Sequence, residues 1–313
     1  MSSSKENWLT WPVFSEITEV PHLLLNVFWF IFGVAITKYA FGPVDWVNVI
    51  LYYLTLNLFF CAVNVLDAYC DYNHAHDRQT FTKKVSIIGR ENLPLAGVKK
   101  LYLFLFLISF IPGIWLVIRT NWIVLILGII GYAIGIFYTA GHRPINSTPF
   151  SSIIVTLSIA YFKQLICVYV SVFKTQPLNW HMIWLIFLLC LPTIFIFFLM
   201  QLGNDACDLK FDKRNNRHTL AYFIGINNSM KIIKLCVVLG PLWTLVNTFI
   251  LHIAPNITAL SALTLPIIWH GMQPFFKNPD KNKTFMLVFK NIYIFFLAYI
   301  ILFALATWFP FLN

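Results

Sequence analysis

Carboxylates are scarce in this chain, twelve Asp and Glu among 313 residues, and half of them fall in two short stretches. The first runs Asn64-Val-Leu-Asp67-Ala-Tyr-Cys-Asp71 and continues to Asp77-Arg78. The second runs Asn204-Asp205-Ala-Cys-Asp208-Leu-Lys-Phe-Asp212 and continues through Lys213-Arg214 to Arg217-His218-Thr219. Both fit the pattern [ND]xxDxxxD, and Asn64, Asp67 and Asp71 precede Asp205, Asp208 and Asp212 by the same 141 residues. Equal offsets at three positions mark an internal duplication, as in membrane proteins whose binding sites lie between repeats. On a helix, positions i, i+3 and i+7 share one face, so each stretch projects its polar groups as a row. Stacked carboxylates repel one another, and a cation is needed between them. A row of oxygens without Cys or His suits a hard ion. Mg²⁺ takes one or two carboxylates and completes its octahedron with water and phosphate oxygens. Two such rows with Mg²⁺ make a receptor for a diphosphate, and the Arg residues that trail them, Arg78 and Arg217, can grip the remaining oxygens. One DxxxD at a helix end is more often a solvated cap. Two in identical register, in a chain this short of acids, point to function.

The elements that carry these rows are membrane helices. The chain is 59% apolar, 18% aromatic and only 11% charged, with a mean hydropathy of +0.75. That is less than half the charge of an ordinary soluble domain, which excludes a water-soluble globule. The 31 Phe and 11 Trp equally exclude a disordered chain, because so much apolar surface must be buried in protein or lipid. Nine continuous apolar runs, near 22–41, 46–66, 101–119, 121–140, 151–173, 180–202, 232–253, 257–275 and 285–310, approach or exceed the roughly 20 residues that cross a bilayer core. A membrane barrel would show short alternating segments instead. The expected fold is an all-α polytopic bundle of nine transmembrane helices in a single domain, 1–313, with two Asp-rich cytosolic loops and a pseudo-repeat at 64–71 and 205–212. The N-terminal MSSSKENW lacks the features of a signal peptide, so the first helix is expected to persist.

Charge fixes the expected orientation. Of the 22 Lys and Arg, 17 fall on the N-terminal side of a nine-span topology and only Lys38, Arg119 and Lys174 on the other, while Lys163 and Lys290 lie within runs. By the positive-inside rule the N-terminus and both acidic stretches are cytosolic, in a bacterial inner membrane or an organelle membrane. The net charge of +10 therefore needs no nucleic acid to explain it, and the lipid bilayer is the natural neighbour. The six Cys form no CxxC pair and the eight His no metal-binding pair, so neither disulfides nor zinc are expected. Lys163, near the middle of the fifth run, is costly there unless it faces the interior, which makes it a candidate substrate contact.

The pattern as a whole resembles the UbiA-type intramembrane prenyltransferases, nine-helix proteins with Asp-rich stretches after helices 2 and 6. In that family the first motif reads NxxxDxxxD with an Arg seven residues on; Asp67 and Asp71 match, and Arg78 stands at the Arg position. The second, [ND]xxxDxxxD, is matched by Asn204, Asp208 and Asp212, and the RHTLA of Arg217–Ala221 is similar to the KRTLA of quinone-type members. Tyr138-Thr-Ala-Gly-His142-Arg143-Pro144 resembles the loop after helix 4, where a Tyr is followed by a basic residue. The chain departs from the family at Val63, where Asn is usual and Asn64 follows one place later, at Gln79 in place of Pro, and at His142 in place of Lys.

The resemblance implies ionisation of an allylic polyprenyl diphosphate and capture of the cation by a lipophilic acceptor of the aromatic or quinone-precursor kind. It implies two Mg²⁺ ions bridging the diphosphate. Asp67, Asp71, Asp205, Asp208 and Asp212 are then the metal ligands, and Asp67, Asp71, Asp208, Asp212 and Tyr138 the catalytic set. Asn64, Arg78, Arg143, Asn204, Lys213, Arg217 and Lys163 are the expected substrate-binding residues. A membrane terpene cyclase would share the ionisation step without an acceptor, and prenylation of a non-aromatic lipid or carotenoid would share all but the acceptor. A transporter would place its charges near the bilayer midplane instead, and a non-catalytic scaffold has no need of a duplicated metal signature.

Overall fold

The computed structural model describes residues 8–74, 86–214 and 217–312. All regular structure among them is helical, as expected where lipid cannot satisfy backbone N–H and C=O groups. Among the described residues eight helices are long and apolar enough to cross a membrane: α1 (Val20–Phe41), α2 (Trp46–Asn73), α3 (Leu95–Arg119), α4 (Trp122–Thr139), α5 (Ser151–Val172), α6 (Trp180–Arg214), α7 (Leu220–Ile250) and α8 (Phe285–Trp308). Contacts divide the chain into two compact units, Met1–Val27 with Trp46–Ile145, and Phe28–Asp45 with Asn146–Asn313.

In the first unit α2 packs along α3, burying Cys61, Ala62, Val65 and Leu66 against Leu101, Leu105 and Phe106. In the second, α6 packs along α7. Each helix that carries an acidic row therefore pairs with the helix that follows it in sequence. Both units contain a glycine where a side chain has no room. A Cβ on Gly135 of α4 would lie 2.5 Å from the Phe59 ring, and one on Gly240 of α7 would lie 2.7 Å from Ile196 of α6. Small residues at such crossings let membrane helices gain van der Waals contact that lipid cannot offer.

Two departures from the sequence reading follow from backbone physics. The acidic stretches are not loops: α2 and α6 remain helical through Asp71 and Asp212. Hydropathy falls where a helix leaves the hydrocarbon, but the i to i−4 bonds do not stop there. The run at 257–275 is not one α-helix either. It is a 3₁₀ helix over Asn256–Thr264, followed by the short helices Leu265–Gly271 and Gln273–Lys277. A hydroxyl every third residue explains the tighter winding. Thr258, Ser261 and Thr264 each donate to the carbonyl three residues back, at 2.6, 2.6 and 2.7 Å, and Pro255, Pro266 and Pro274 remove amide donors around them.

This broken segment leads from the end of α7 back towards the acidic end of α6 within its unit. α7 starts beside Asp212, kinks at Gly225, whose φ of +75° and ψ of 167° are not helical, and runs on to Ile250, yet Lys281 is again bonded to Asp208. Nine 3₁₀ residues at about 2.0 Å each and twelve α-helical residues (seven plus five) at about 1.5 Å reach roughly 36 Å, enough for a core about 30 Å thick.

Candidate active site

The second acidic row occupies the last turns of α6. Its members diverge in partner although they share a helix. Asp205 accepts a hydrogen bond of 2.5 Å from the hydroxyl of Ser152 on α5, itself 3% exposed. Asn204 Oδ1 and Asp208 Oδ2 receive the same ammonium, Lys281 Nζ, at 2.6 Å for Asp208. Asp212 is 3% exposed and accepts 3.1 Å from the hydroxyl of Thr219, the residue that starts α7. The main chain closes the same turn, with the Arg217 N–H donating 2.9 Å to the Asp212 carbonyl. Arg217 lies within electrostatic range of the Asp212 carboxylate, with its guanidinium 5.9 Å from the Phe211 ring centre. Lys213 is exposed and stands 6.0 Å from the Tyr222 ring.

Shared contact with one cation groups Asn204 with Asp208, the i, i+4 register of [ND]xxxDxxxD. Asp205, one place on, is turned to α5 instead.

The first row sits on the last turns of α2. Val65, Leu66 and Cys70 face its core, which leaves Asp67 and Asp71, one turn apart, half-buried on another face. Asn64 donates 3.3 Å to the Thr18 carbonyl, so its amide ties α2 to the N-terminal segment. Arg78 lies outside the described residues. Tyr138 is half-buried in the last turn of α4, and Arg143 is exposed beyond Gly141, whose φ of +111° is left-handed backbone.

Lys163 is placed elsewhere. It lies eleven residues along α5 from Ser152, about 16 Å deeper, with its ammonium 5.8 Å from the Trp29 ring in a cluster with Phe197 and Phe296. The structure does not bring it to the acidic row.

The second row fits a hard divalent cation. Its donors are all oxygen, and a positive group already lies between Asn204 and Asp208. Among the described residues no three His, Cys, Asp or Glu side chains converge into a closed metal cage. An ion there would depend on water and on oxygens of a ligand, the coordination habit of Mg²⁺. Three partners of the row are absent from the sequence reading: Ser152, Thr219 and Lys281. Ser152 and Thr219 carry no charge, and Lys281 is one of many basic residues between the apolar runs that the positive-inside rule accounts for on sequence alone.

Fold and site together define a helical polytopic membrane protein with a duplicated, oxygen-only acidic row at the ends of two helices. The chain belongs to the UbiA prenyltransferase family, whose family model matches residues 26–300. It is 24% identical over 182 residues to 1,4-dihydroxy-2-naphthoate octaprenyltransferase of Bacillus subtilis (strain 168), a match covering 58% of this chain and 56%, just over half, of that relative's length. Among solved structures, a UbiA homolog from Aeropyrum pernix K1 superposes with a TM-score of 0.67 at 12% identity, over 90% of this chain and 98% of that one. A UbiA homolog from Archaeoglobus fulgidus, bound to GPP and Mg²⁺, gives 0.63 at 10% identity, over 94% and 99%. At these identities the two structures establish the shared fold.

Proposed function

We propose that this protein transfers a prenyl group from an allylic polyprenyl diphosphate to a lipophilic acceptor of the aromatic or quinone-precursor kind, with Mg²⁺ as cofactor. The observation that carries the reading is the oxygen-only row of Asn204, Asp208 and Asp212, two of whose members share the Lys281 ammonium, in a sequence register repeated at Asp67 and Asp71. The Bacillus relative supports a dihydroxynaphthoate-like acceptor, and the Archaeoglobus structure supports a prenyl diphosphate with Mg²⁺. The family model runs across both compact units, which supports one catalytic domain over 1–313.

In this reading the carboxylates of both motifs bind the metal, and the basic residues beside them, Arg78, Arg217 and Lys213, bind diphosphate oxygens. Mg²⁺, when bound, neutralises the charge that grows on the leaving diphosphate. The C–O bond breaks with its electron pair going to the diphosphate, and the allyl cation is captured by a nucleophilic atom of the acceptor, which then loses a proton. The apolar and aromatic side chains of the bundle keep water from that cation. Tyr138, at the end of α4, is a candidate hydrogen-bond donor to diphosphate or acceptor. The acidic ends of α2 and α6 face the cytosol, by the charge bias of their flanks.

The test is an assay of purified protein with geranyl and longer allylic diphosphates, Mg²⁺ and dihydroxynaphthoate. Diphosphate release and a prenylated product are expected, both abolished by EDTA and lowered by orders of magnitude in Asp208→Ala. No diphosphate release with any allylic donor would overturn the reading, and a cyclised hydrocarbon in place of an adduct would make the protein a cyclase.

A further inference from the structure

We propose that Lys281 is a diphosphate-binding residue that occupies the cation position of the second acidic row until metal and substrate replace it; this rests on the prenyl diphosphate reading above. Lys281 comes from the turn before α8, 73 residues from its partner Asp208, and donates to both Asn204 and Asp208. Both ends of the pair are partly exposed, 42% for Lys281 and 29% for Asp208. A surface pair of that kind contributes little by itself. The turn around it nonetheless fixes the backbone from which this side chain departs.

The Asp280 carboxylate accepts the N–H groups of Asn282 and Lys283 at 3.0 and 2.8 Å. The Asp280 N–H donates 2.9 Å to the Thr284 hydroxyl, which itself donates 2.7 Å to the Asn278 carbonyl. The amides of Thr284 and Phe285 return to the Asp280 carbonyl at 3.1 and 3.0 Å. Lys281 is therefore flanked on both sides by closed hydrogen bonds, and its ammonium rests 5.1 Å from the Phe285 ring.

The consequences follow from charge and reach. An ammonium on Asn204 and Asp208 uses the same oxygens that a hard ion would use, so the two compete. When the ion takes those oxygens, the flexible four-carbon stem lets the ammonium move while its backbone stays anchored. The oxygens of a diphosphate bound at that ion then become acceptors for it. Three carboxylates lie on this stretch of α6, so a multiply charged diphosphate needs cations beyond the metal, and Lys281 is already in position.

The experiment uses full-length protein in detergent, with Lys281→Met and Lys281→Arg. Free Mn²⁺ is followed by electron paramagnetic resonance without substrate, and inorganic diphosphate binding is measured by calorimetry in excess Mg²⁺. Lys281→Met should bind Mn²⁺ about two- to fivefold more tightly, because an exposed competitor worth about 0.4–1 kcal/mol is gone. It should bind diphosphate about tenfold more weakly, and Lys281→Arg should restore that binding. If wild type binds both ligands and Lys281→Met binds them equally well, the inference fails and Lys281 is an ordinary surface pair. Tighter Mn²⁺ with unchanged diphosphate overturns the diphosphate role. Wild type binding neither ligand overturns the prenyl diphosphate reading itself.

Discussion

The hydroxyl of Thr219 is the most economical point at which to perturb the second row. Thr219 occupies the N-cap position of α7 with extended backbone, φ −66° and ψ 169°, yet its hydroxyl does not cap its own helix. It donates instead to Asp212 Oδ2 at 3.1 Å. Thr219→Val keeps the shape and removes the donor. Both residues are 3% exposed, so the hydroxyl is a buried donor to this carboxylate. A hydrogen bond to a charged group contributes about 1.5–3 kcal/mol, which corresponds to roughly ten- to hundredfold in an equilibrium or rate. Since that bond aims the Asp212 carboxylate, the loss is expected in Mn²⁺ affinity and in kcat/KM together, with a melting temperature lowered by a few degrees. Thr219→Ser retains the donor and should remain near wild type. Metal titration, steady-state turnover and thermal unfolding of the three proteins decide the matter. Unchanged binding and turnover in Thr219→Val, or equal damage in Thr219→Ser, would show that Asp212 does not depend on this hydroxyl.

Gly240→Ala should destabilise the α6–α7 pair by about 1–3 kcal/mol, since the added methyl meets Ile196 at 2.7 Å and the Pro192 carbonyl at 3.2 Å. Gly128→Ala, where nothing lies within 4 Å, should not lower the melting temperature and serves as its control. In a Cys-free background, single cysteines at exposed Glu91, Lys210 and Lys283 should label from one face of sealed vesicles, and one at exposed His252 from the other. Lys283 labelling from the same face as His252 would mean that residues 256–277 do not cross.

Architecture was legible because lipid makes it a matter of counting. Apolar length alone located the eight long helices, since nothing but helix or closed barrel satisfies the backbone there. Hydropathy misjudged where they end. Asp67, Asp71, Asp208 and Asp212 lie past the apolar runs at 46–66 and 180–202, but the hydrogen bonding of α2 and α6 extends through them. The 257–275 run also satisfied the length rule and still failed to form one α-helix. The signal for this was present in the threefold spacing of Pro255, Thr258, Ser261 and Thr264, a period that an apolar window averages away.

Within the site, legibility followed charge and proximity in sequence. The acidic rows stood out because carboxylates are costly in such a chain and are kept only where something binds them. Their partners did not. Ser152 lies 53 residues before Asp205 and is an ordinary residue for a helix start, and no spacing rule links the two. Thr219 looks like a helix cap, and only the structure shows its hydroxyl turned to Asp212. Lys281 is one of many Lys and Arg between the apolar runs, so topology and chemistry make the same demand on sequence there. What separates them is placement. A cation needed only for orientation can stand anywhere in its loop, whereas Lys281 departs from the anchored Asp280 turn and reaches the two oxygens that the family motif sets four residues apart, Asn204 and Asp208.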